Sequence, residues 1–521
     1  PDFKHRSFYE LAVLAVKDKD YKQAMDMITQ SLYVGGRDLQ ALTLKAYILR
    51  MQDKKEEAQE TIHYIQQIDP LDYWSAAEAS LSASQGASFL KAGTNHNSKG
   101  IIAIQELLEV VNNYMTIGAT EDALTLLNSA ISLGEPYASY PLLYYYKAYN
   151  LLKSKNSIEF QTCLDKARSL SPLNNYPFRI EEIALFKTLL QKRPDDALLH
   201  YHLGNLLYFL GQKESGLEHW LHATETDPSF AIAARNVGFG YGCLNDLEKS
   251  IKYYDRAINA NPNDPLLLTE SDKIYEQANI PTDQRLKRLE SHLKTVMKHD
   301  DAVMRLLTLY NAESKYDKSI KILNTRHFHL WEGGGQVHDI YADSHILKGM
   351  QFLKRKQYKE AIREFDLANQ YPSNLEVAPS PNGGYEAKIY YLSGIAYEAM
   401  KQTDKAKICF EKSADTHFRS HLTDLNYYKI KSLRKLNRNG EADVALSNMQ
   451  KTLERILRNP TDSYAKFGEA NQNVQQSNIS YYSGLIYLLQ NNPSAAKNDF
   501  TQALQLYPGN IWAQLMNKDI H

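Results

Sequence analysis

The sequence predicts an all-α fold, an α-α superhelix or solenoid of about eleven or twelve helical hairpins. Three observations lead there. Helix-forming residues are punctuated at regular distances by small residues and Pro. The marks recur with a fixed spacing, so an internal repeat organises the chain. The irregular stretches between them are not low-complexity enough to be disordered linkers, which makes the array continuous.

Each element follows in order. Near the N-terminus Ala24 and Ala58 lie one period apart, and Pro70 closes the second unit. The stretch 82–100 disturbs the spacing, after which Ala123 with Ala130, and Ala148 with Ala167 and Pro172, mark two more units. The pattern is sharpest in the middle, where Gly204 and Pro228 recur thirty-four residues later as Gly238 and Pro262. Between each Gly and its Pro stand a small residue (Gly216, Ser250), an aromatic (Trp220, Tyr254) and an Ala (Ala223, Ala257). The small residues fit where two antiparallel helices approach closely, the large ones fill the gaps, and Pro ends the second helix. Weaker helical pairs cover 265–300, 301–325 and 424–458. Clean units return at Gly349, Phe352, Ala361, Phe365 and Ala368, at Gly394, Tyr397, Ala406 and Phe410, and at Gly484, Tyr487, Ala496, Phe500, Ala503 and Pro508. This grid resembles the tetratricopeptide repeat. The expected organisation is degenerate repeats over 1–100, central repeats over 101–325, a loop insertion at 326–340 and C-terminal repeats over 341–521.

Composition narrows the function classes. With 60 basic and 61 acidic residues the formal net charge is −1, so no global field recruits nucleic acid or an anionic membrane. No apolar run approaches about 18 residues, the length of a transmembrane helix. Cys163, Cys243 and Cys409 lie far apart and are expected as small core residues, neither a disulfide framework nor a metal set. The chain opens at Pro1 without Met and enters a helix almost at once. That reads as the cut edge of a longer protein, so a missing signal peptide is silent about secretion; the expected location is soluble, cytoplasmic or periplasmic.

Such repeats bind along the concave face lined by the first helix of each hairpin. Counting along the grid places Tyr201, Asn205 and Tyr208 inward in one repeat and Arg235 and Phe239 in the next, with Tyr391 and Tyr481 at the position equivalent to Tyr201. Among 36 Tyr, these would offer rings for a peptide or a sugar and hydroxyls for hydrogen bonds, although any one of them is more simply a packed helix-interface residue. Asn205 and Asn236 also match the two Asn of tetratricopeptide domains that clamp a C-terminal carboxylate. Tyr201, Leu266 and Glu270 stand where that clamp has cations, so a carboxylate would go uncompensated and the two Asn are better read as bridging adjacent helices.

One stretch is unlike the rest: HFHLWEGGGQVHD, 327–339. It falls where one hairpin ends and before the next clean repeat near Tyr341. Three consecutive Gly free the backbone, but the spacing excludes a P-loop. His327, His329, Glu332 and His338 carry metal-ligating groups, yet HxHxxE in a loop is not a closed set, and His side chains capping helix ends are the commoner arrangement, so no metal and no cofactor are expected. Glu332 beside Trp331 has the setting of a general acid with a raised pKa, for which glycosidases need a second carboxylate that the sequence does not identify. The plainer reading has Trp331 plugging a gap and Glu332 capping a neighbouring helix.

The run Arg326 to Gly334, with ANQYPSNLEV (368–377) and EAKIYYLSGIAYEAMKQTDKA (386–406), resembles the helical-repeat region of large bacterial proteins. In that family an uncharacterised β-sandwich, similar to mutarotase and glycosidase sandwiches, precedes the repeats. The resemblance covers roughly 300–520 and departs at Leu330, Gly335 and Glu376, where the family tends to have Pro, Glu and Gly. It implies an absent upstream domain and a possible link to carbohydrate. Two functions follow as expectations. The favoured one is a non-catalytic scaffold for a protein or peptide partner, its own upstream domain included. The alternative is the helical half of a carbohydrate-processing enzyme, with ligand contacts from His327, His329 and Trp331 and catalysis by Glu332.

Overall fold

The computed structural model describes residues 3–90, 101–154, 157–173, 175–329, 336–379, 384–418, 422–458 and 472–520. Among the described residues the chain has 28 α-helices, three short 3-10 turns and no strand. It divides into two compact units, Pro1–Pro228 and Ser229–His521, and the division falls inside the block 101–325.

In the first unit five hairpins pair Phe3–Lys17 with Tyr21–Val34, Leu39–Met51 with Lys55–Ile68, Ile101–Thr116 with Thr120–Ser132, Pro141–Lys153 with Ser157–Ser169, and Ala197–Phe209 with Lys213–Thr226. Single helices Tyr73–Ser82 and Glu181–Lys192 intervene. Seven hairpins build the second unit. Ala231–Cys243 pairs with Leu247–Ala260, and Pro265–Gln277 with a second arm broken at His292 into Thr282–Ser291 and Leu293–Val296. Then come Asp300–Ala312 with Tyr316–Thr325, Gln336–Lys354 with Tyr358–Ala368, Glu386–Ala399 with Thr403–Ala414, Asp424–Lys435 with Asn439–Arg458, and Gln472–Leu489 with Pro493–Leu506. A last helix, Ile511–Asp519, follows.

Local chemistry sets these boundaries. Asp38 and Asp246 accept the backbone N–H groups of Ala41 and Lys249, capping helix starts, and Pro265 and Pro493 occupy first-turn positions where no N–H is needed. The tight turns inside most of the described hairpins repeat one device. The residue two before the second helix turns left-handed, as at Asp53, Asn245 and Lys401 or at Gly211, where φ is +85° and glycine is unstrained. The next N–H then bonds back five residues, Lys54 to Leu49 and Asp246 to Tyr241, satisfying a terminal carbonyl.

Packing explains the small residues of the repeat. A Cβ added to Gly349, Gly394 or Gly484 would sit 2.4, 2.5 and 2.5 Å from the rings of Phe365, Phe410 and Phe500. At Gly204 the obstacle is Trp220, at 2.5 Å. Aromatic rings thus lie directly on the glycines of the facing helix. Gly394→Ala is expected to lower stability by about 1–3 kcal/mol through overpacking. Gly440→Ala, a helical position with nothing within 4 Å, should be neutral or add about 0.5 kcal/mol. Urea midpoints of the two variants check this; equal midpoints would refute the packing account.

Each unit buries its own core. One cluster runs from Tyr9 to Leu207 in the first unit; in the second, two clusters run from Ala234 to Leu375 and from Ile346 to Met516. Two local expectations need correction. Cys163 is buried, but Cys243 is exposed, because it is the last residue of its helix. The helix expected near Tyr341 already begins at Gln336, anchored by His338, whose ring stacks on Tyr371 at 3.8 Å and whose Nε2 lies 3.0 Å from the Gln370 carbonyl.

Candidate functional site

Three of the expected ligand-facing residues lie in the first unit, on Ala197–Phe209, with Tyr201 buried and Asn205 and Tyr208 half-buried. Tyr201 is 5% exposed and meets His202 edge to face. The Trp220 indole N–H donates to Asn205 Oδ1 at 2.8 Å, and the Tyr208 ring stacks on Trp220 at 4.7 Å. In the second unit Tyr391 and Tyr481 are also buried, at 6% and 3% exposure. Tyr391 and Tyr481 pack against Phe410 and Phe500 across their hairpins.

Arg235, Asn236 and Phe239 are brought together. The Arg235 guanidinium donates to both Glu270 carboxylate oxygens, at 2.8 and 2.5 Å, and to Asn236 Oδ1 at 3.1 Å. It lies over the Phe239 ring, 5.5 Å from the centroid, and Phe239 stays 39% exposed. Tyr254 hydroxyl also donates to Glu270. A fixed cation, its counter-ion and an open aromatic face thus join two successive hairpins.

A second polar centre in this unit was not read from the sequence. Lys388, 1% exposed, is paired with Asp424 at 2.5 Å and lies 3.4 Å from the Trp512 ring centroid. Beside it lies Asp343, close to the Trp512 indole, its Oδ1 sealed from solvent without a partner among the described residues. Burial pushes the Asp343 carboxyl up to about 7; Lys388 opposes this, and Asp424 and Asp339 add to it. Tyr385 hydroxyl donates to Asp339 Oδ1 at 3.0 Å, and the buried hydroxyls of Tyr428 and Tyr481 have no partner among the described residues. The signal available was a lone charge on an apolar helix face, Lys388 in AKIYYL and Asp343 in IYADSHIL.

Trp512 belongs to the last helix, which packs back on earlier hairpins of its unit. Ile511, Trp512 and Leu515 lie against Tyr316, Ile320 and Leu347. Lys354 pairs with Asp519 at 2.6 Å, and Tyr507 hydroxyl donates to Glu276 at 2.9 Å.

At the 326–338 stretch, Trp331 and Glu332 lie outside the described residues, as do the three glycines. Arg326 bonds Asp300 and the Met297 carbonyl, Phe328 is fully buried, and the N–H of His329 donates to Asp300. His327 and His329 remain exposed, with rings 4.7 Å apart, and His327 Nε2 lies 2.7 Å from Glu376 Oε1. His338 points elsewhere, to Gln370.

Residues 241–264 and 387–415 match the profile of the tetratricopeptide repeat family. These two segments are similar to that repeat, and the described residues around them form helical hairpins. Solved structures with which the chain aligns include YrrB, described as a TPR protein with an unusual peptide-binding site, at 16% identity and a TM-score of 0.28, over 42% of this chain and 97% of that one. Yeast Tom70 aligns at 12% identity and a TM-score of 0.26, over 95% and 99%. A double mutant of MamA aligns at 17% and 0.22, over 37% and 92%. Among the described residues no helix is long and apolar enough to cross a membrane.

Proposed function

We propose that the chain is a non-catalytic scaffold that binds a protein segment through the faces of its first helices, its own upstream domain being the first partner to test. The observation that carries this reading is the Arg235, Phe239 and Glu270 patch. An exposed ring held under a guanidinium that is itself forked onto a carboxylate is a pre-ordered anchor, the combination of aromatic and Arg that dominates binding energy at protein interfaces. The last helix, whose Trp512 lies against Lys388 of the first helix Glu386–Ala399, is a guide to the segment bound: a short amphipathic helix with one Trp as its anchor.

The test compares the wild-type chain with Arg235→Ala, Phe239→Ala in pull-downs from cells and against the separately expressed upstream domain. The double variant should lose at least one partner that wild type retains, by roughly tenfold or more, as expected for a hot-spot pair. Its circular dichroism should stay that of a folded helical chain, with only a modest drop in melting temperature from loss of the Arg235–Glu270 link between hairpins. Identical capture by both chains would remove the patch from the binding surface.

A further inference from the structure

We infer that His327, His329 and Glu376 form a binding site for a divalent transition-metal ion of the zinc class. One nitrogen from each imidazole and one carboxylate oxygen lie within 4.8 Å of one another. His327 Nε2 and His329 Nδ1 are 2.7 and 3.7 Å from the same oxygen, Glu376 Oε1. Around a tetrahedral Zn²⁺ with bonds of about 2.0–2.1 Å, ligand atoms stand roughly 3.3 Å apart. The first distance must open and the second close by about half an ångström, and the imidazole nitrogens, within 4.8 Å of each other, must close by up to about 1.5 Å, changes that rotation of these exposed side chains supplies.

The backbone fixes this convergence. His327 and His329 are alternate residues, and Phe328 between them is fully buried, so the chain is anchored midway between the two imidazoles. The Phe328 N–H donates to the Asn374 carbonyl at 2.8 Å, and Asn374 Nδ2 returns bonds to the carbonyls of Leu323 and Arg326 at 2.8 and 2.7 Å. Leu375, fully buried in the same core as Phe328, anchors the partner segment immediately before Glu376. Glu376 itself adopts a left-handed backbone, φ +52° and ψ +28°. This closes the short 3-10 turn Ser373–Leu375 and sets the direction in which the Glu376 side chain leaves the chain. His329 is further held by its N–H bond to Asp300.

The donor set selects the ion. Two imidazoles and one carboxylate suit Zn²⁺ and its neighbours Co²⁺, Ni²⁺ and Cu²⁺ rather than Mg²⁺ or Ca²⁺, which take oxygen ligands. Three protein ligands at a surface where the residues are 53%, 81% and 39% exposed by side chain leave a coordination position for water. The set is invisible in HxHxxE because the carboxylate comes from a segment 49 residues from His327.

The full chain, without an affinity tag of histidines and stripped by chelator, would be titrated with Zn²⁺ by calorimetry and with Co²⁺ by visible absorption. The expected result is one high-affinity site with a ligand-field spectrum of low coordination number. His329→Ala is the decisive variant: its ring is 81% exposed and makes no hydrogen bond to Glu376 at 3.7 Å, so its loss leaves the fold intact. It should weaken binding by more than about 100-fold, above the effect of losing an outer-shell partner, and Glu376→Gln should do likewise. His219→Ala, which alters the separate His200 and His219 pair, should bind as wild type does. Stoichiometric binding that survives His329→Ala, loss caused by His219→Ala instead, or a wild-type chain that takes up no ion at micromolar concentration would each overturn the assignment.

Discussion

Asp272→Ala is expected to destabilise residues 229–521 by about 3–5 kcal/mol, the cost of leaving buried charges without their partner. Asp272 is 1% exposed by side chain and accepts from Arg285 Nε and Nη2 at 2.9 and 2.8 Å and from Arg305 Nε. Glu276 supplements it, at 3.0 Å from each guanidinium. Burial pushes the Asp272 carboxyl up, but the charges and hydrogen bonds of Arg305 and Arg285 outweigh burial and hold it below the usual carboxylate range. Its stabilising contribution is therefore present above the unfolded pKa and lost as pH falls through the lowered folded value. Denaturant unfolding followed by hydrogen exchange within Pro265–Ala312 provides the measurement. A loss under about 1 kcal/mol would mean that Glu276 alone neutralises both arginines.

Asp343→Asn should act with the opposite pH sign. The Asp343 carboxyl is raised from 3.8 to about 7, first by burial. The native state therefore holds a proton that the unfolded chain releases, so the stability tied to this group is complete below about pH 4 and lost as pH rises through 7. A shift of this size corresponds to a few kcal/mol, on the order of 4 at most. Asn cannot ionise. Relative to wild type, the variant should gain stability steadily from pH 4 to pH 8, with melting temperatures converging at the acid end and separating by several degrees at the alkaline end. Parallel melting profiles across this range would show that Asp343 does not carry the proton.

Much of the fold was legible because its determinants are local and repeated. Gly204 against Trp220, Gly394 against Phe410 and Ser250 bonding the Gly238 carbonyl are contacts inside a single hairpin, so a thirty-four-residue period registers them directly. The inward positions were less secure. The count placed Tyr201, Tyr391 and Tyr481 correctly on first helices but could not decide whether each ring faced a ligand or a neighbour, since Tyr serves both. The same count placed Arg235 and Phe239 on one first helix, where the guanidinium lies over the ring. Contacts between distant segments left no periodic trace. Glu376 reaches His327 only because Phe328 and Leu375 share one core, and Lys388 meets Trp512 only because the last helix folds back.

That return has a consequence for how the second unit folds and comes apart. An open array of repeats behaves as a one-dimensional chain in which each unit senses its neighbours, nucleation can begin anywhere, and the ends fray first. Here Tyr507 bonds Glu276 across 231 residues and Lys354 pairs with Asp519 across 165. The far end is latched to the near one, so detaching the last helix breaks contacts belonging to both. Residues 265–519 should thus melt as one cooperative block, with the terminal helix as protected from exchange as the middle hairpins. Because such distant pairings cost loop-closure entropy before they are rewarded, assembly should be slower than for a linear array of the same helices.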